Sequence, residues 1–401
     1  MRKLSLALLL AFICPASAMA EIGKPSSISV GGSYCYVTNT ENLRDGFLAR
    51  NGHPSYTVQF GYNTFPGCRS SAYAERYNFP VIGFGLTFDN CSRMQFKNNS
   101  SIGDFVNVYA FMNGAFYKER RFSLGYLMNM GMGITGVLYD PIDNPYQFHI
   151  GSPLSIYLSF GPQIKLRPSD NIEIDLNAYW YHHSNGNMWM SNVGLNGLSA
   201  GAALRYNFEE PYTRQVRRLE EKADFPKGFF YEIYGSYGLH ACKTEFLAFN
   251  KMVEDPALKQ RSFTSRPRIG LGFDAMYRYS LLCATGIVLD CNYNWDGGML
   301  KRSDTVIYGE DAVRNGPGYS PLNIALGFLH EFYYGNLSGF MGCSAYLYRK
   351  VGINEDFSRF YQRIGFRFHF PSWCNSFAGW CIRSSLFKDA DFFEFQVGIR
   401  I

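Results

Sequence analysis

The chain has 401 residues, of which 47% are hydrophobic, 17% aromatic and 18% charged, with a formal net charge of +5. A surplus that small makes no case for a nucleic-acid partner. Beyond residue 20 no uninterrupted apolar run approaches the roughly 18–20 residues a spanning helix needs, which excludes a helical membrane protein.

The N-terminus reads as an export signal. Met1-Arg2-Lys3 precedes an apolar stretch from Leu4 to Cys14, and Ala18-Met19-Ala20 supplies small residues before Glu21, so residues 1–20 are expected to be cleaved after Ala20. Phe12 and Ile13 are bulky where a lipobox takes small residues, which argues against lipid anchoring at Cys14. Cys35, Cys68, Cys91, Cys242, Cys283, Cys291, Cys343, Cys374 and Cys381 survive cleavage. An odd count cannot pair completely; an oxidising periplasm permits one or more disulfides, and no CxxC or Cys/His cluster suggests a metal site. No cofactor is expected.

From there, short segments of period-two alternation recur between turn residues. Tyr, Phe and Gly are abundant, at 29, 35 and 40 residues. This is the pattern of an all-β, antiparallel outer-membrane barrel, with one row of side chains in lipid and the other in the lumen. The first half (21–208) predicts eight strands near 26–39, 54–64, 78–93, 103–118, 121–139, 152–168, 171–185 and 195–208. A charged linker follows over 209–227, with Arg214, Arg217, Arg218, Glu220, Glu221 and Lys222. The second half (228–401) predicts eight more, near 228–246, 265–280, 281–295, 320–335, 336–351, 361–373, 377–388 and 392–401. Around residue 366, Ile364, Phe366, Phe368 and Phe370 share one face, and Arg363, Gly365, Arg367 and His369 the other. The last strand aligns Phe393, Phe395, Val397, Ile399 and Ile401 at the C-terminus. Tandem small barrels and one barrel of up to sixteen strands satisfy the periodicity equally, since either closure removes unpaired edges. Loops near 40–53, 247–264 and 296–319 are long enough to bind surface ligands.

The segment 171–186 carries the chemistry. Ile172, Ile174, Leu176, Ala178 and Trp180 make an apolar face, and the same phase continues to His182 and Ser184. On the next strand Leu198, Ala200, Ala202, Leu204, Tyr206 and Phe208 continue back to Asn196. His182, Ser184 and Asn196 are thus expected to point outward toward lipid, at the outer leaflet if the N-terminus is periplasmic. Same-face neighbours sit roughly 6.5–7 Å apart at the backbone, so an imidazole two residues from a hydroxyl can serve it as general base. The bland alternative is an ordinary polar barrel rim. His53, His149, His240, His330 and His369 are scattered, and each reads as a rim or lumen residue.

His182-His183-Ser184-Asn185, with Asn192-x-Gly194 beyond, resembles the lipid A 3-O-deacylase (PagL-like) family of outer-membrane acyloxyacyl hydrolases. Phe79-Pro80-Val-Ile-Gly83-Phe-Gly85, and Tyr139-Asp140-Pro141 through Ile150-Gly151-Ser152, add to a likeness covering roughly 50–208. The resemblance implies a serine esterase acting on lipid A of lipopolysaccharide, inserted by the outer-membrane assembly machinery. Ser184 would be the nucleophile, His182 the base and Asn192 the oxyanion donor, with Asn185 and Gly194 in support. The family's acidic member falls by spacing on Asn196, which is uncharged but can orient an imidazole. Asp140 and Asp143 are acids on the same outer side. Arg383-Ser384-Ser385 occupies a comparable place in the second half without a histidine, so that half is expected to be structural or partner-binding. A non-catalytic barrel, acting as channel, assembly partner or adhesin, is the rival reading.

Overall fold

The computed structural model describes residues 24–38, 52–66, 68, 71–94, 100–211, 227–263, 265–353, 359–385 and 389–401. The signal segment, most of the charged linker and most of the 40–53 loop lie outside them. Two closed eight-strand antiparallel barrels result. The first runs β1 (Ser27–Val37), β2 (Gly52–Asn63), β3 (Val81–Asp89), β4 (Phe105–Lys118), β5 (Phe122–Ile134), β6 (Leu154–Leu166), β7 (Ile172–Ser184) and β8 (Leu195–Asn207). It closes by pairing β1 with β8 from Ser27↔Asn207 to Val37↔Gly197. The second runs β9 (Gly228–His240), β10 (Arg266–Arg278), β11 (Cys283–Asn294), β12 (Leu322–Tyr334), β13 (Leu337–Tyr348), β14 (Phe360–Phe370), β15 (Ser376–Ser385) and β16 (Asp389–Arg400), closing β16 on β9. Tandem barrels are therefore the correct alternative.

The walls follow the alternation in the sequence. Along β7, Ile172, Ile174 and Leu176 are exposed while Glu173 and Asp175 are buried; along β14, Ile364 is exposed and Arg363 and Arg367 are fully buried. Val30, Tyr34, Phe60, Val108, Met128, Phe160, Leu198 and Leu204 complete an apolar outer belt on the first barrel. Such a continuous exposed surface is untenable in water, and no second sheet covers it among the described residues. Strands of 13 residues tilted by about 40° cover a lipid core about 25 Å tall or more.

The bores are filled, as eight strands dictate. In the first, Lys165 Nζ meets Glu173 Oε1 at 2.9 Å, Arg167 Nε meets Glu173 Oε2 at 2.6 Å, and Arg205 Nη2 reaches Asp175 and Gln59 at 3.2 and 3.1 Å. Above them sits an aromatic cluster with Phe105, Tyr109, Phe111, Tyr157 and Tyr181. In the second, Arg367 bridges Glu232 at 2.6 Å and Asp274 at 2.9 Å, Arg363 meets Asp290 at 3.1 Å, and Arg383 meets Glu394 at 3.1 Å. These pairs satisfy charges that burial alone would make prohibitive.

Several boundaries differ from the sequence reading. The predicted strand to 139 stops at Ile134, and the chain instead folds into a loop where Thr135 N–H bonds Pro153 and Tyr139 N–H bonds Ile150. The predicted strand to 246 ends at His240, because Lys243–Phe246 turns helical and buries Thr244 and Glu245. The 296–319 loop holds two helices, Gly297–Tyr308 and Glu310–Asn315. Asp304 pins the first by accepting from Tyr319 Oη at 2.6 Å and Ile353 N–H at 2.9 Å. No disulfide joins any two of the nine described cysteines. The chain divides into two compact units, and Gly186–Ser191 belongs with the second barrel's unit, not the first.

Candidate active site

β7 carries Trp180, His182 and Ser184 upward in one phase, and β8 enters the sheet at Leu195. Register places His182 opposite Asn196 and Ser184 opposite Ile156. The imidazole Nδ1 lies 2.6 Å from Asn196 Oδ1, so the ring N–H donates to the amide oxygen. That contact leaves Nε2 as the basic nitrogen. Trp180 stacks on the ring at 5.5 Å with planes 7° apart, and Phe160 packs on Trp180 at 5.3 Å. These contacts hold the imidazole at one orientation on an aromatic outer wall.

Asn192 bridges the other side. Its Nδ2 reaches Ser184 Oγ at 3.4 Å, and its Oδ1 accepts from Asn185 N–H at 2.9 Å. Asn185 in turn donates from Nδ2 to Ser152 Oγ at 3.1 Å, and Ser152 donates to the Leu154 carbonyl at 2.7 Å. Asn192 thus holds its amide N–H beside the Ser184 hydroxyl. Gly194, at φ +75°, passes so close that a Cβ there would stand 3.1 Å from His182 Cε1 and 3.6 Å from Ser184 Cβ. Only glycine combines that backbone angle with that clearance.

One expectation needs correcting. His182 lies on the outward row and is half-buried, but Ser184, in the same phase, is only 2% exposed. The returning segment at Gly194 covers it, so the hydroxyl does not lie open to the membrane. Asp140 serves its own turn, accepting Ile142 and Asp143 N–H at 2.8 and 2.9 Å, while the oxygen on His182 Nδ1 is that of Asn196.

His149, read from the sequence as a rim or lumen residue, ties the Gly194 segment down. Its Nδ1–H donates to the Gly194 carbonyl at 2.5 Å, and its own carbonyl accepts Gly194 N–H at 3.1 Å. Complete burial pushes this imidazole down to about 4, so it stays neutral. When the loop opens, His149 regains an ordinary value near 6.5 and takes up a proton that the closed form refuses. Closure is therefore fully stable above pH 6.5 and weakens as pH falls toward about 4. Amide exchange at Val193 and Gly194, corrected for intrinsic rates, should quicken across that window, and His149→Gln should flatten the response. Its only signal in the sequence is a histidine beside Ile150-Gly151-Ser152.

A closed antiparallel sheet with an apolar outer wall and a packed, charged bore defines an outer-membrane β-barrel protein. Residues 229–401, the second barrel, match the family model described as acyloxyacyl hydrolase, C-terminal domain. The match lies on the half that the sequence reading left without a site, whereas the HxS segment lies on the other. No curated protein matches the chain. Among solved structures it is similar to Neisserial surface protein A at 10% identity, over 45% of this chain and 96% of that one, with a TM-score of 0.31. It is also similar to the outer membrane protein Ail of Yersinia pestis at 14% identity, over 45% and 99%, with a TM-score of 0.24. OccAB1 of Acinetobacter baumannii is similar at 10% identity, over 96% and 99%, with a TM-score of 0.24.

Proposed function

We propose that the first barrel is a serine esterase that removes an ester-linked acyl chain from lipid A in the outer leaflet. The observation that carries this reading is the His182 Nδ1 contact with Asn196 Oδ1 at 2.6 Å, on the row that continues to Ser184. His182 Nε2 takes the Ser184 proton as Oγ attacks the ester carbonyl, and Asn192 Nδ2 donates to the developing oxyanion. Collapse of the tetrahedral intermediate breaks the ester C–O bond and expels the alcohol oxygen as an alkoxide, which takes the proton from the His182 imidazolium and leaves as a hydroxyl. Water, deprotonated by His182, then releases the fatty acid from Ser184. No cofactor enters, and the Trp180 and Phe160 wall gives the acyl chain an apolar path. The outer-membrane assembly machinery would insert both barrels, the last through its Val397, Ile399 and Ile401 row.

The test is mass spectrometry of lipid A from cells with and without the gene: loss of one acyl chain on expression supports the esterase, and identical spectra overturn it. A non-catalytic barrel is the second reading, favoured by the neutral Asn196 and the covered Ser184. Asn196→Asp separates the two. A carboxylate would stabilise the imidazolium that an amide only orients, so deacylation should rise by about tenfold or more. A barrel without the chemistry would show no activity in either form.

A further inference from the structure

The first barrel's lumen gathers a second constellation behind the HxS strand, from residues scattered in the sequence. Cys35 on β1 and His53 on β2 are direct cross-strand partners. Asp89 on β3 pairs with Ser55, two residues along from His53. Cys35, His53 and Asp89 each offer a ligand atom within 4.8 Å of the other two, and they are 2%, 0% and 4% exposed. From across the bore comes His183, the inward neighbour of His182, fully buried. Its Nε2 has no hydrogen-bond partner and stands 3.6 Å from Asp89 Oδ2, too far for a hydrogen bond.

We propose that Cys35, His53, Asp89 and His183 form a tetrahedral site for a zinc-type divalent ion. Neighbouring ligands around zinc at about 2.0–2.3 Å lie about 3.3–3.8 Å apart, and the His183–Asp89 separation falls in that interval. The surroundings supply what such ligands require. His183 Nδ1 bonds Ser155 Oγ at 3.3 Å, and His53 Nδ1–H faces the Pro54 carbonyl at 3.3 Å, leaving each Nε2 for the metal. Asn107 Nδ2 fixes Asp89 Oδ2 at 2.6 Å. Phe105 and Tyr157 clamp the His183 ring at 4.4 and 5.1 Å, and a Cβ on Gly133 would strike its Nδ1 at 2.7 Å.

The present hydrogen bonds are ones that metal binding would rearrange. Cys35 Sγ donates to Ser199 Oγ at 3.2 Å, and His53 Nε2 meets Tyr181 Oη at 3.0 Å. On binding, the thiol releases its proton to solvent and Tyr181 yields its place on Nε2. One thiolate and one carboxylate then neutralise the dication, the arrangement a low-dielectric bore tolerates best. A thiol and two imidazoles favour zinc over calcium or magnesium. The ion would tie β1, β2, β3 and β7 together behind His182.

Cobalt(II) is the probe, titrated into full-length, chelator-treated protein in detergent. Cys242→Ser serves as background, because His240, Cys242 and Asp296 form another such group on the second barrel. One equivalent of cobalt should give intense tetrahedral visible bands and a thiolate charge-transfer band. Adding Cys35→Ser should remove the charge-transfer band, and His183→Gln should weaken binding by about tenfold or more. No stoichiometric binding, or a charge-transfer band that survives Cys35→Ser, overturns the proposal. Should Cys35→Ser fail to show the folded band on a heat-modifiable gel, X-ray absorption of the zinc-loaded Cys242→Ser protein decides: one sulfur at about 2.3 Å supports the site, and only nitrogen and oxygen ligands overturn it.

Discussion

Ser184→Ala is expected to lower lipid A deacylation by about 1,000-fold or more, and His182→Ala to do nearly the same, with no further loss in the double variant. Nucleophile and base act as one unit, so removing either leaves only the positioning and oxyanion contributions. Ser184 opposes Ile156 at the end of β7, where loss of one hydroxyl leaves the strand's backbone ladder intact. The variants should therefore keep wild-type heat-modifiable mobility on gels. The rate is read as release of fatty acid from purified lipid A in detergent. Undiminished release from folded Ser184→Ala would remove the proposed nucleophile.

Arg367→Ala should destabilise the second barrel by about 3–5 kcal/mol, the range for breaking a buried charge pair by deleting one partner. Arg367 is fully buried, holding Glu232 through Nη1 and Asp274 through Nη2, and its guanidinium lies 4.7 Å from the ring centroids of Phe340 and Phe377. Its loss strands two carboxylates in a bore with little water to solvate them, although Arg400 still reaches Glu232 at 2.7 Å. The temperature at which the folded gel band disappears should drop clearly, and Arg367→Lys should recover part of the loss, because an ammonium cannot reproduce the two-armed contact. An unchanged transition would mean that the lumen network adds nothing to stability.

Where the strands lie, to within a few residues at their ends, and which way their side chains alternate can be read from the chain alone. Both follow from a period of two, which is local: Ile364 outward beside Arg363 inward, Ile174 outward beside Asp175 inward, His182 outward beside His183 inward. The sequence also put His182, Ser184 and Asn196 in one phase. It could not see the polar helix over Gly297–Tyr308, whose burial turns on Asp304, Tyr319 and Ile353 meeting across the loop. Nor could it choose one barrel or two. That choice rests on β1 finding β8 and β9 finding β16, pairings more than 150 residues apart in sequence that no short window encodes. Tertiary structure alone set the 2.6 Å contact of His182 with Asn196, laid Gly194 over Ser184, and gathered Cys35, His53, Asp89 and His183 into one lumen. Strand direction is fixed by neighbouring peptides, whereas ring closure and the loops that fold over it depend on contacts between distant parts of the chain.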